Sequence, residues 1–183
     1  MAAVESERAV IRRLGRPGDL GWVVMAHGEV YDREFGWDTS FEALVARIVA
    51  DYAAGHDSAR EAAWIAEVGG ARVGCVFCVA EDERTAKLRI LLVHPHGRGH
   101  GLGGRLVDTC VSFARGAGYA RMRLWTNDPL AAARRIYLQR GFALVEEDPH
   151  HSFGADLIGQ VYQLDLQESA PVGAGGARNQ PIP

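Results

Sequence analysis

The sequence predicts a single α+β domain built on a mixed β-sheet, and three observations carry that prediction. Two apolar runs, "EAAWIAEV" and "ARVGCVFCVAED", flank Gly69–Gly70, a pair favoured in tight hairpin turns. A third run, "AKLRILLV" (Ala86–Val93), ends almost continuously apolar, as a central strand buried on both faces would. Beyond it a glycine-rich stretch opens into a segment of helical periodicity, so helices and strands interleave along the chain.

Taken in order, "RAVIRRL" (Arg8–Leu14) reads as a short strand closed by the turn cluster "GRPGD". From Leu20 onward, Val23, Val24, His27, Val30 and Tyr31 recur at helical spacing. A second helix begins near Thr39, which with Glu42 has the spacing of a capping box, and carries Phe41, Leu44, Val45, Ile48 and Tyr52 on one face. The three hairpin-linked strands follow, then the glycine segment, then a helix with Leu102, Leu106, Cys110 and Phe113 aligned. "YARMRLWT" (Tyr119–Thr126) is the next strand. Asp128 and Pro129 predict a helix start, the first as N-cap and the second at the first helical position, with Gly141 as the stop. "FALVEE" and "IGQVYQLDL" form a last strand pair, with His150 and His151 in the loop between them. The order is β, α, α, β, β, β, α, β, α, β, β. The domain is expected over residues 1–166, and the Gly/Pro/Ala-rich residues 167–183 as a disordered tail.

Composition narrows the setting. At 183 residues the chain can bury one real core, and its 48% apolar and 23% charged residues are those of a globular domain. A net charge of −3 offers no general attraction to nucleic acid or anionic membrane, and neither is an expected partner. Three cysteines, Cys75, Cys78 and Cys110, form no disulfide framework and fit a reducing cytoplasm. Cys75 and Cys78, three apart on a strand, should face opposite ways. No stretch is long and apolar enough for a membrane helix, and the N-terminus lacks a signal peptide's apolar core, so a cytoplasmic location is expected.

The segment "HPHGRGHGLGGRL" (His94–Leu106) admits three chemistries. His94, His96 and His100 could bind a metal, but no Cys, Asp or Glu stands nearby to complete a shell, and no metal is expected. Gly99, Gly101 and Gly104 fit a dinucleotide fingerprint, yet a hairpin precedes it and the following strand ends in "LWTN" without the acidic residue that motif needs. A buried strand running through glycines into a helix fits a diphosphate cradle better. Glycines let amides turn inward together, a helix N-terminus adds unpaired donors, and Arg98 and Arg105 add charge.

Arg98-Gly99-His100-Gly101-Leu102-Gly103 resembles the R/Q-x-x-G-x-G/A acyl-CoA signature of the GCN5-related N-acetyltransferases. "NDPLAAARRIYLQRGF" (Asn127–Phe142) is similar to that family's second hallmark, a helix ending in tyrosine and then Gly-Phe. The resemblance runs from about Arg8 to Leu166. Within the family, "GDLGWVVMAHGEVYDREFGWD" and "HHSFGADLIGQVYQLDL" look like the acetyltransferase domains fused behind MarR-type helix-turn-helix regulators. With few residues before the first strand, the expectation is the enzyme half standing alone.

The resemblance implies a mostly antiparallel mixed sheet flanked by helices, with acyl-CoA in a cleft between two splayed parallel strands ending at Val93 and Thr126. Leu91, Leu92 and Val93 would hold the pantetheine arm. Arg98, Gly99, His100, Gly101, Leu102 and Gly103 would hold the pyrophosphate, with Gly104 allowing close approach. Asn127 and Arg134 would complete the cofactor contacts. Tyr137 is the implied general acid for the departing thiolate. Glu81 and Asp82 are weaker candidates for the base, a water relay being the alternative. Glu29, Glu34, Trp37 and His151 (or its neighbour His150) are weak candidates for the acceptor side. The implied reaction is acetyl transfer from acetyl-CoA to a primary amine in a ternary complex. A non-catalytic acyl-CoA sensor is the alternative, and a nucleotide-binding redox domain a third. The acceptor is not legible, and a homodimer through exposed sheet edges stays open.

Overall fold

The computed structural model describes residues 8–167; the tail expected over residues 167–183 lies outside them from residue 168 on. Seven strands form one mixed sheet: β1 (Ala9–Arg13), β2 (Ala62–Val68), β3 (Ala71–Ala80), β4 (Thr85–Val93), β5 (Arg121–Asn127), β6 (Ala143–Ser152) and β7 (Ala155–Asp165). Their order across the sheet is β1-β2-β3-β4-β5-β7-β6. Only β4 and β5 are parallel. Helices α1 (Asp19–Phe35) and α2 (Thr39–Gly55) cover one face, and α3 (Leu102–Gly116) and α4 (Ala131–Gln139) the other. The alternation of strand side chains divides the core accordingly. Ile65, Cys75 and Phe77 face α1 and α2, whereas Val76, Cys78 and Leu88 face α3. Cys75 and Cys78 therefore do point to opposite faces.

Three local expectations need correction. The cap of α2 is Asp38, whose Oδ1 accepts the Ser40 amide at 2.9 Å, while Thr39 is already helical. Glu42 does not reach back to the cap and lies against Gly28 of α1. Asp128 is not the cap of α4. Its Oδ1 accepts the Ile158 amide at 2.8 Å, and the helix begins at Ala131 after one more turn. His150 and His151 are not in a loop. The last hairpin is longer than its apolar pattern suggests, because Phe153 (φ +59°) and Gly154 (φ +77°) make its two-residue turn. A phenylalanine at positive φ is a poor turn signal, so the sequence hides it.

The entrance to α1 is braced by a buried carboxylate. Asp19 is 0% exposed and accepts two hydrogen bonds from Arg12 (2.8 and 2.9 Å), one from Arg72 (2.8 Å), and the amides of Gly15 and Arg16. Burial opposes its ionisation, but the bonds from Arg12, Gly15 and Arg72 outweigh burial and hold the carboxyl well below the usual range. Such a group stabilises the fold above its unfolded pKa and loses that contribution as pH falls. Asp19→Ala should cost about 2 kcal/mol in chemical denaturation at neutral pH, since Arg12 keeps some access to water. The deficit relative to the parent should shrink below about pH 4.

Candidate functional site

The site arises where two parallel strands part. β4 and β5 pair from Thr85↔Arg121 to Leu88↔Leu124 and no further. Beyond that point β4 follows β3 to Val93, while β5 follows β7 to Asn127. The divergence begins at a bulge in β4. Phe77 pairs with Arg89 and Cys75 with Leu92, so β4 advances three residues while β3 advances two. Ile90 absorbs the extra residue at φ +46°, a conformation that β-branched residues rarely take. The bulge thus turns a regular ladder into an open cleft.

Two cavities share this cleft. The wider, about 470 Å³, runs along Leu91–Val93, the Gly97–Gly103 loop and the start of α4, and is closed by Val30, Tyr31, Glu34 and Phe35 of α1. The narrower, about 290 Å³, lies under α1 and α2 and ends at Tyr137. Tyr31, Leu91, Leu130 and Ala133 line both, so the cavities meet at those residues.

The wider groove has the chemistry of an anion cradle at its mouth. Gly99 (φ +86°) and Gly101 (φ +64°) adopt left-handed backbone, and a short 3-10 turn, Pro95–Gly97, precedes them. The Gly97 and Arg98 amides are spent on His94 and Pro95 carbonyls. Those of Gly99, His100 and Gly101 have no acceptor among the described residues, and the first amides of α3 add further free donors. The donors lie at the mouth of a long apolar groove, an arrangement that fits a diphosphate with an extended apolar arm.

Not every expected cofactor residue reaches this groove. Leu91, Leu92, Val93, Arg98, Gly99, Gly101, Leu102 and Gly103 line it. His100 and Gly104 do not: the Gly104 position admits Arg140, whose guanidinium a Cβ there would meet at 2.2 Å. Gly103 also lets α4 approach, since its Cβ would lie 2.6 Å from Ile136 Cδ1. The Arg98 side chain is paired with Glu34. Arg134 lines neither cavity and donates to the Asp128 carbonyl at 2.7 Å, holding the β5–α4 turn.

Asn127, also expected at the cofactor, does not line the wider groove; it is 2% exposed and lines the narrow one, with its Oδ1 accepting from His150 Nε2 at 2.8 Å. Acceptor-side expectations divide similarly. His151 is exposed and paired with Asp156. Trp37 is buried on the groove wall beside Phe41 and Phe153. Glu29 lines neither cavity, and Glu34 lines the wider one. Glu81 and Asp82 line neither, because Asp82 accepts the Arg84 and Thr85 amides that close the β3–β4 turn. Among the described residues no group of three His, Cys, Asp or Glu side chains could hold a metal ion.

Tyr137 is reached from both sides of the sheet. Its ring packs on Phe142 and Tyr162 in the α3–α4 core, yet it lines the narrow groove on the α1–α2 side, through the gap between β4 and β5. It is 4% exposed, and its hydroxyl has no hydrogen-bond partner among the described residues. Burial raises its pKa well above the usual value, so the phenol stays protonated.

Sequence reasoning passed over three side chains in the narrow groove: His27, Lys87 and Arg89. His27 is fully buried, donates from Nδ1 to the Val23 carbonyl at 2.7 Å, and leaves Nε2 without a partner. A histidine on an apolar helical face and two cations spaced two apart on an apolar strand were the available signals.

A split mixed sheet with a glycine loop at its cleft defines an acetyltransferase fold of the GNAT type. The chain belongs to the acetyltransferase (GNAT) family, whose sequence profile matches residues 24–142. It is an acetyltransferase with acetyl-CoA as co-substrate. The yncA structure from Salmonella typhimurium, with its cofactor acetyl-CoA, is 20% identical, covers 91% of this chain and 99% of its own, and has a TM-score of 0.71. The ribosomal-protein-alanine N-acetyltransferase from Brucella melitensis is 17% identical over 86% and 99% of the two chains, at a TM-score of 0.69. A GNAT-family acetyltransferase from Staphylococcus aureus is 18% identical over 87% and 100%, at a TM-score of 0.70. At such identities the likeness concerns the fold. No curated protein sequence matches the chain. No helix among the described residues is long and apolar enough to cross a membrane.

Proposed function

We propose that the chain transfers acetyl from acetyl-CoA to the nitrogen of a primary amine by direct attack in a ternary complex. The observation that carries this reading is the meeting of two distinct grooves at Tyr31, Leu91, Leu130 and Ala133, with the protonated, unpartnered Tyr137 at the end of the narrower one. Leu91 and Val93 offer backbone groups to the pantetheine arm, and the free amides of Gly99, Gly101 and the first turn of α3 hold the diphosphate. The thioester then lies at the junction, and the amine enters through the narrow groove.

The amine must first lose its ammonium proton. Among the described residues no Asp or Glu lines the narrow groove, so solvent takes that proton in place of Glu81 or Asp82. The nitrogen lone pair forms a C–N bond to the carbonyl carbon and the C–S bond breaks with its electron pair on sulfur. Tyr137 donates its phenolic proton to that sulfur and recovers one from the newly acylated nitrogen. His150 orients Asn127 at the end of β5, beside the reacting groups. We also place the chain nearest the regulator-fused subgroup, on the strength of its first-helix and last-hairpin sequences, and in the cytoplasm.

Thiol release from acetyl-CoA against a panel of primary amines tests the reaction. Amine-dependent release with a matching N-acetyl product supports it. Calorimetric binding of acetyl-CoA without turnover on any amine would favour the sensor reading instead.

A further inference from the structure

We propose that the acceptor is a small amino acid-like molecule, with an apolar or aromatic body and a carboxylate that pairs with Arg89. This rests on the acetyl-transfer reading and specifies its second substrate.

At about 290 Å³ the narrow groove sits at the small end of the roughly 300–1,000 Å³ typical of small-molecule sites. Its walls are Phe41, Leu44, Val45 and Ile48 of α2 with Trp37 and Tyr31, which suit an apolar or aromatic body. Among the described residues the only charged side chains lining it are Lys87 and Arg89. Two apart on β4 and before the bulge, they share the α1–α2 face, while Ala86 and Leu88 pack on the α3 side.

Arg89 is the telling residue. It is half-buried, yet among the described residues it makes no hydrogen bond and no carboxylate lies within ion-pair distance. Asp51 and Glu81 act on it only from a distance, and desolvation lowers its pKa. Lys87 has a long contact of 3.9 Å to Glu81. A guanidinium partly withdrawn from water and left without a partner costs free energy unless a ligand satisfies it. Its fork matches a carboxylate in geometry and charge.

Position sets the spacing of the ligand's groups. Arg89 lies two residues before Leu91, where the grooves meet, at most about 7 Å along a regular strand and less across the Ile90 bulge. Its stem shortens that interval, so amine and carboxylate can belong to one short molecule. Polyamines would meet Lys87 and Arg89 with a second positive charge and are disfavoured.

The test compares phenylalanine and leucine with their carboxamides, and with spermidine, in steady-state thiol release. The wild-type protein should prefer each acid over its amide by about tenfold or more in kcat/KM, and Arg89→Gln should collapse that ratio toward one through the KM of the acid. The wild-type ratio needs no variant, so a poorly folding Arg89→Gln leaves the test intact. Equal use of acids and amides, preference for spermidine, or no turnover of any acid despite acetyl-CoA binding would overturn the proposal. Failure to bind acetyl-CoA in calorimetry would instead remove the acetyl-transfer reading beneath it.

Discussion

Tyr137→Phe should lower kcat by about a hundredfold or more while leaving the Kd for acetyl-CoA within about twofold. The substitution removes one oxygen from a ring that is otherwise held by Phe142 and Tyr162. Because that hydroxyl has no partner among the described residues, its loss leaves no orphaned group behind, and folding stability should be unchanged or slightly raised. A phenol raised in pKa by burial is a weak acid, but the thiolate it serves forms in the same dry cleft. Desolvation raises the basicity of that sulfur as well, so the transfer keeps its driving force. Tyr31, which lines both grooves, supplies the control. Undiminished turnover in Tyr137→Phe, or a larger loss in Tyr31→Phe, would refute the assignment of Tyr137 as the acid.

The donor half of the site was legible because its chemistry is local. Strand, glycine loop and helix are contiguous from Leu91 to Gly104, so the segment stands out in the sequence, although its spacing alone left three chemistries open and the family resemblance singled out the acyl-CoA reading. The Tyr137 helix was legible for the same reason. The acceptor half was not, because it is assembled from α1, α2, β4 and β5, which only the fold brings together. Nothing in "LRILLV" announces that Ile90 takes a left-handed conformation, yet that bulge opens the cleft and leaves Arg89 facing it. Asp82 illustrates the converse: a carboxylate near a strand end reads as a base until its bonds to Arg84 and Thr85 show it closing a turn. His150 and His151 were separable only once the Phe153–Gly154 turn had set the register of β6 against β7, which puts His150 on Asn127.

Lowering the pH from 6.5 to 4 should cost the protein about 3 kcal/mol of stability through His27 alone, at about 1.4 kcal/mol per unit. Burial is the chief cause: it pushes the His27 pKa down to about 4, against smaller upward pulls from the Val23 and Ile90 carbonyls. The ring is enclosed by Tyr31 (centroids 5.7 Å apart) and Phe41 (6.2 Å), and its Nε2 makes no hydrogen bond of good geometry among the described residues. Between the two pKa values the unfolded chain binds a proton that the folded chain refuses. Stability is therefore fully present above about pH 6.5 and drains away as pH falls toward 4. Other groups titrate in the same range, His94 among them, so the decisive quantity is the difference between parent and His27→Leu denaturation curves. That variant loses the Nδ1 bond but also the orphaned nitrogen, and should sit close to the parent at pH 7.5. It should then gain on the parent steadily as the medium is acidified. Parallel curves would mean that His27 takes up its proton inside the fold, with a partner found or water admitted. Acid would then act on the narrow groove directly, because a charged His27 would stand beside Lys87 and Arg89.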